Sequence, residues 1–104
     1  MEVVYHPLVR RDVEEALSYY RKIATRLADE FHAELRGVIH QAAENPQRFH
    51  QVEQGFRRAN LKRFPYHVPY EIRPVDLRVM VVRHNKRHPQ YGLPREEIGP
   101  ARQP

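Results

Sequence analysis

Leu77-Arg78-Val79-Met80-Val81-Val82-Arg83-His84 is the most strand-like stretch of the chain. Alternation puts Leu77, Val79 and Val81 on one face and Arg78, Met80 and Val82 on the other. A strand apolar on both faces belongs in the middle of a sheet. The stretch therefore predicts a central strand, and the rest of the sequence must supply its neighbours and its cover.

The preceding residues supply the neighbours. Pro74-Val75-Asp76 reads as a turn. Before it, His67 to Arg73 alternates, with Val68, Tyr70 and Ile72 on one side and His67, Glu71 and Arg73 on the other. Pro69 cannot donate to a ladder, so an edge position or a bulge is expected there. Arg63-Phe64-Pro65 reads as a bend, Phe56 to Lys62 as a further strand, and Gln47 to Gly55 as a polar connection.

The N-terminal half supplies the cover. Val9, Val13, Ala16, Leu17, Tyr20 and Ala24 recur at helical spacing. Arg10, Arg11, Asp12, Glu14, Glu15, Arg21 and Lys22 make the polar face of that helix. Tyr20 belongs to the apolar stripe, and Tyr19 lies at its margin. Thr25 reads as the N-cap of a second helix. Its stripe is Leu27, Phe31, Leu35, Val38 and Ala42, widened by Ala28 and Ile39 and stopped by Asn45-Pro46. Glu2 to Tyr5 reads as a first strand, ended by His6-Pro7. The order is β-α-α-β-β-β, an α+β domain in which a helical hairpin packs on a sheet. The domain is expected over residues 1–92. From Asn85 onward there are four prolines and few apolar residues, and residues 93–104 read as a C-terminal tail.

A chain of 104 residues with 40% hydrophobic and 30% charged content holds one modest core. No cysteine is present, which excludes disulfides and Cys-ligated zinc. No apolar run is long enough for a membrane span and the N-terminus is no signal peptide, so a cytoplasmic protein that meets no membrane is expected. Charge is uneven. Residues 1–47 carry six Lys/Arg against eight Asp/Glu, a net −2, and residues 48–104 carry twelve against five, a net +7. Within the basic half, Arg57-Arg58 to Arg63-Phe64-Pro65-Tyr66 and Arg83-His84 to Tyr91 interleave cations, histidines and aromatics. That combination points to a surface for a polyanion or an acidic protein.

His6-Pro7 before a helix with Asp12 and Tyr19-Tyr20, then Leu27-Ala28 and Phe31, open a longer pattern. Pro46, Arg57-Arg58, Arg63-Phe64-Pro65-Tyr66 and Tyr70 continue it, and Val82, His84, Arg87, Pro89 and Tyr91 close it. In order and spacing this resembles the ParE/RelE superfamily of toxins from type II toxin–antitoxin modules, nearest to its ParE-like, plasmid-stabilisation subgroup. The resemblance implies a helical hairpin on a curved antiparallel sheet. It also implies growth inhibition, relieved by a cognate antitoxin with an acidic or amphipathic C-terminal segment. ParE-like members poison DNA gyrase, whereas RelE-like members cleave messenger RNA on the ribosome.

RNA cleavage through a ribose 2′-OH needs a base, cations for the phosphorane-like charge and an acid for the leaving oxygen. Arg57, Arg58, Arg63 and Arg83 are the candidate cations, with Lys62 beside them. His84, His88 and Tyr91 are the candidate acid–base groups. The lysine-rich strand of many RelE-like nucleases is absent, since Lys62 and Lys86 are the only lysines of this half. The resemblance therefore favours a gyrase-directed binder over a nuclease. For binding, Arg57, Lys62, Arg63, Arg83, Lys86 and Arg87 are the candidate contacts. Structural readings stand beside these: an inward arginine of the 57–58 pair tying a helix end to the sheet, a hydrogen-bonding role for His84, and packing roles for Tyr66 and Tyr70. His32 and His40 have no third ligand, and there is no Gly-rich phosphate loop or Ser/His/Asp set, so neither metal nor cofactor is expected.

Overall fold

The computed structural model describes residues 1–52, 55–93 and 95. Its elements are β1 (Glu2–Tyr5), α1 (Val9–Ile23), α2 (Thr25–Glu44), β2 (Arg57–Asn60), β3 (Tyr66–Ile72), β4 (Asp76–Val79) and β5 (Arg83–His84). The helices form a hairpin on one face of a sheet of order β1-β4-β3-β2, with β5 continuing the line of β4 beside β3. The expected α+β order holds.

The joint of the hairpin is a single residue. Ala24 is extended, with φ −164° and ψ 136°, and its N–H donates to the Tyr20 carbonyl at 2.9 Å. Ala24 rather than Thr25 is thus the N-cap of α2, and no side chain caps it. Thr25 is the first helical residue because the chain needs only one non-helical residue to turn. At the other end the Asn45 N–H donates to the Gln41 carbonyl, and Pro46 follows. The predicted stripes meet the sheet: Val9, Ala16, Leu17 and Tyr20 from α1, and Ala28, Phe31, Leu35, Val38, Ile39 and Ala42 from α2, are buried against Ala59, Val68, Tyr70, Leu77 and Val79. An aromatic cluster ties the layers. Phe31 meets Phe64 edge-on at 5.4 Å between centroids, and Tyr20 meets Phe64 at 5.0 Å. Such pairs contribute about 0.5–1.5 kcal/mol each beyond their buried area.

Three expectations about the sheet need correction. It is mixed rather than antiparallel, because β1 lies parallel to β4. The strand expected over Phe56–Lys62 is only Arg57–Asn60. The strand expected to run unbroken through Leu77–His84 stops at Val79 and resumes at Arg83. Tyr70 faces Val79 and His67 faces Arg83, so three steps along β3 match four along its partner. The extra residue is a bulge, and Pro69 explains it. The Pro69 carbonyl accepts from the Met80 N–H at 3.0 Å, so its donor-less nitrogen faces the same side, where the ladder is interrupted. The other flank of Pro69 pairs normally with Arg58.

The sheet face away from the helices is also covered. Phe56, Met80, Val81 and Leu93 form a second buried cluster, with Val52 and Tyr91 packed on it. This cover reverses one reading of β3: His67, expected on a polar side, is 2% exposed, while Ile72, at the strand end, is 37% exposed. It reverses one reading of α1 as well, since Asp12 of the expected polar face is buried. Leu93, the first residue of the expected tail, belongs to the second cluster. Residues 94 and 96–104 of that tail lie outside the described residues.

Candidate functional site

Pairing parity sorts the basic stretch. Arg57 faces Tyr70 across the ladder and His84 faces Tyr66, which puts both on the helix side. Arg58 and Asn60 share the opposite side with His67 and Arg83. The expected basic surface is therefore divided among four places.

Arg57 holds the exit of α2. Its Nη1 donates to the Phe49 carbonyl at 2.7 Å, and the Tyr70 hydroxyl donates to the Pro46 carbonyl at 2.6 Å. Arg57 thus ties the segment after α2 to the sheet through one hydrogen bond, where the structural reading of the 57–58 pair expected a bidentate tie to a helix end. Lys62 and Arg63 lie beside α2 instead. Their backbone N–H groups donate to the Glu34 carboxylate, the first at 2.6 Å, and Arg63 Nη2 donates to Glu30 Oε1 at 2.7 Å. Such an exposed ion pair contributes about 0–1 kcal/mol.

Arg83 lies on the far face and is 6% exposed. Its Nε donates to His67 Nε2 at 2.8 Å, and its Nη1 donates to the carbonyls of Pro89 and Tyr91 at 2.6 and 2.8 Å. The guanidinium thus ties the 85–91 loop to the sheet. His67 is fixed from both ends. Since Nε2 accepts from Arg83, Nδ1 carries the proton and donates to Asn85 Oδ1 at 2.7 Å. Burial pulls the His67 pKa down to about 4, the Asn85 hydrogen bond works against that, and the charges of Arg58 and Arg83 reinforce it. Burial, then the nearby Arg58, also lowers the pKa of Arg83, but a guanidinium stays charged in a protein. Arg58 Nε donates to Asn60 Oδ1 at 2.8 Å.

The fourth place is an open groove of about 580 Å³ between the C-terminal part of α1 and the loop after β5. Tyr19 and Ile23 from α1 face Tyr66, His84, Arg87 and Tyr91 across it. Tyr19 and Ile23 are 59% and 60% exposed, high for large apolar groups. The His84 ring meets Tyr66 edge-on at 5.1 Å, and the Arg87 guanidinium lies 4.4 Å from the centre of the Tyr91 ring. Burial raises the Tyr66 pKa, Tyr19 and Glu15 add to it, and Arg87 opposes it. His84 Nδ1 accepts from the Lys86 N–H at 3.0 Å, and His88 Nδ1 accepts from the Gln90 N–H at 3.1 Å. A neutral imidazole has one lone pair, and in each ring it is engaged by the chain's own backbone. The groove offers aromatic faces with their hydroxyls, the Arg87 cation, the Glu15 carboxylate and an imidazole N–H, a mixed set suited to contacts.

One wall of the groove rests on an ion pair that the sequence did not announce. Asp12 accepts both ends of the Arg95 guanidinium, at 2.8 and 3.0 Å, and also accepts the Val82 N–H at 3.1 Å. Arg95 Nη1 further donates to the Met80 carbonyl at 3.0 Å. The pair closes the polar groups left unpaired by the bulge. Spacing offered one clue to Asp12, which stands three residues after Val9 and four before Ala16, on the apolar stripe. Nothing in the sequence singled out Arg95. Among the described residues no group of His, Asp and Glu is placed to hold a metal ion.

Residues 3–89 match a family described as the ParE toxin of the type II toxin–antitoxin system parDE. The chain belongs to the ParE toxin family. A solved structure described as the chromosomal ParDE toxin–antitoxin system from P. aeruginosa is similar in fold to this ParE toxin, with a TM-score of 0.72 at 14% identity. The match covers 81% of this chain and 95% of the other. No curated protein matches the ParE toxin's sequence. No helix among its described residues is long and apolar enough to cross a membrane.

Proposed function

We propose that this ParE-family toxin acts by binding in the cytoplasm, with DNA gyrase as its target and a cognate antitoxin as its inhibitor, and that it catalyses no reaction. The observation that carries this reading is the state of the candidate acid–base groups. The lone pairs of His84 and His88 are engaged by backbone N–H groups, the Tyr91 ring lies under the Arg87 guanidinium, and Arg83 is buried in its own hydrogen bonds. A 2′-OH attack needs a base grouped with cations, and the candidate cations are dispersed: Arg57 on one face of the sheet, Arg58 and Arg83 on the other, and Arg63 beside α2. The exposed Tyr19 and Ile23 beside Arg87 and Tyr91 support a protein-binding surface instead. A partner antitoxin is supported by the similarity to a ParDE system.

The test is a supercoiling assay with purified gyrase and purified toxin. Inhibition at concentrations that stop growth is the expected result. Unaffected supercoiling together with cleavage of ribosome-bound transcripts would replace this reading with that of a RelE-like endoribonuclease. Growth unaffected by induced expression would mean that the fold is kept without the toxicity.

A further inference from the structure

The loop after β5 has little of its own to hold it. It is made of turns closed by short-range bonds: the Arg87 N–H donates to the His84 carbonyl at 3.0 Å and the Tyr91 N–H to the His88 carbonyl at 2.8 Å. Residues 85–90 are all exposed, so no buried side chain of theirs anchors it. Yet this loop carries Arg87 and Tyr91 to the groove. Every residue that a partner must order on binding costs the complex about 1–2 kcal/mol. Whatever fixes the loop beforehand therefore adds to affinity without making a contact.

What fixes it lies on the far face of the sheet. Asn85 is tied twice: its N–H donates to the Pro65 carbonyl at 2.8 Å, and its Oδ1 accepts from His67 Nδ1 at 2.7 Å. At the other end Arg83 Nη1 holds the carbonyls of Pro89 and Tyr91, on either side of Gln90, while His67 Nε2 accepts from Arg83 Nε. One hydrogen-bonded pair, His67 and Arg83, thus grips both ends of the loop. Both are buried, and neither they nor Asn85 line the groove. At neutral pH the buried His67 ring keeps the lone pair that Arg83 needs. The gripped backbone in turn sets the Tyr91 ring, which has the guanidinium groups of Arg87 and Arg95 at 4.4 and 5.7 Å from its centre. Carbonyls of an exposed loop can turn to water, so loss of the grip frees the loop and leaves the domain folded.

We propose that His67, Arg83 and Asn85 are positioning residues for the groove: without lining it, they set the affinity for the target by holding Arg87 and Tyr91 in place before it binds. The proposal rests on the gyrase-binding reading above. Hydrogen exchange of the toxin alone tests the grip. In Arg83→Met and in Asn85→Ala the Arg87 and Tyr91 amides are expected to exchange at least about tenfold faster, while the Val68 and Tyr70 amides within β3 keep their wild-type rates. Should Arg83→Met fail to fold, Asn85→Ala, a change at an exposed position, decides. Equal acceleration at all four amides would mean general destabilisation and would overturn the proposal. Gyrase supercoiling tests the affinity. Each variant is expected to need about tenfold more toxin for half-inhibition. Made in an Arg87→Ala toxin, the same change is expected to cost less than about threefold, because less is left to position. A residue that only stabilises the fold would cost the same factor on both backgrounds. If the loop amides keep their wild-type rates, or the two backgrounds lose inhibition equally, the positioning role is wrong and the gyrase reading stands. If the wild-type toxin leaves gyrase untouched, the gyrase reading fails and the affinity role falls with it, whatever the amides do.

Discussion

His67 shows how one residue's surroundings decide what it can do. Its folded pKa of about 4 lies below the ~6.5 of an ordinary histidine. Above pH ~6.5 the ring is neutral in both the folded and the unfolded chain. As pH falls from ~6.5 toward ~4 the unfolded chain takes up a proton that the folded protein does not, and stability falls by up to about 1.4 kcal/mol per pH unit. Urea unfolding between about pH 7 and 5 should show this decline, and His67→Gln should flatten it. An unchanged slope in the variant would mean that His67 is not the group responsible. Nothing in the sequence distinguished this histidine from His84 one side over. The difference is a matter of pairing parity, which the bulge at residues 80–82 sets for the whole end of the sheet.

The elements were largely legible because their signals are local and redundant. Helical spacing from Val9 to Ala42 placed both helices, and alternation placed β3. Pro69 announced the bulge, because a missing donor must be accommodated somewhere. Its location in the partner strand was not legible, since Met80-Val81-Val82 is locally as strand-like as its flanks. The mixed sheet was also hidden, because the direction of β1 depends on which strand it meets. Glycines separate element-level effects cleanly. Gly37 lies within α2 with open space where a Cβ would stand, so Gly37→Ala should stabilise the protein by about 0.5–1 kcal/mol. Gly92 has φ +78°, and a Cβ there would stand 2.8 Å from Val81. Gly92→Ala should therefore cost about 1–3 kcal/mol, by loosening the loop that covers the second cluster. Chemical denaturation of the two variants checks both signs.

At the scale of the whole molecule, the candidate site was legible as a set of residue types and not as a place. The sequence showed cations, histidines and aromatics along residues 57–91, but the sheet deals neighbours to opposite faces and the loops turn them toward different partners. Arg83 became a buried tie, Arg57 a brace for α2, and Tyr66, His84, Arg87 and Tyr91 gathered at a groove with Tyr19. The Asp12–Arg95 pair joins residues 83 positions apart in sequence, with side chains 1% and 7% exposed. Removing one partner strands a buried charge. Arg95→Met should cost about 3–5 kcal/mol in thermal or urea unfolding. Adding Asp12→Asn to Arg95→Met should recover part of that loss, because the amide oxygen introduced at position 12 can still accept the Val82 N–H. Equal losses in the single and double variants would show that the pair's charges are not the stabilising element.

The parallel pairing of β1 with β4 carries a kinetic consequence. Residues 2–5 find their neighbours only at residues 76–79, and Asp12 finds its counter-charge only at Arg95. The helical hairpin between them can form early from local contacts, but the sheet order cannot close until the two ends of the domain meet. Closing the sheet therefore carries the entropy cost of long loops, a cost that the hairpin's local contacts do not bear.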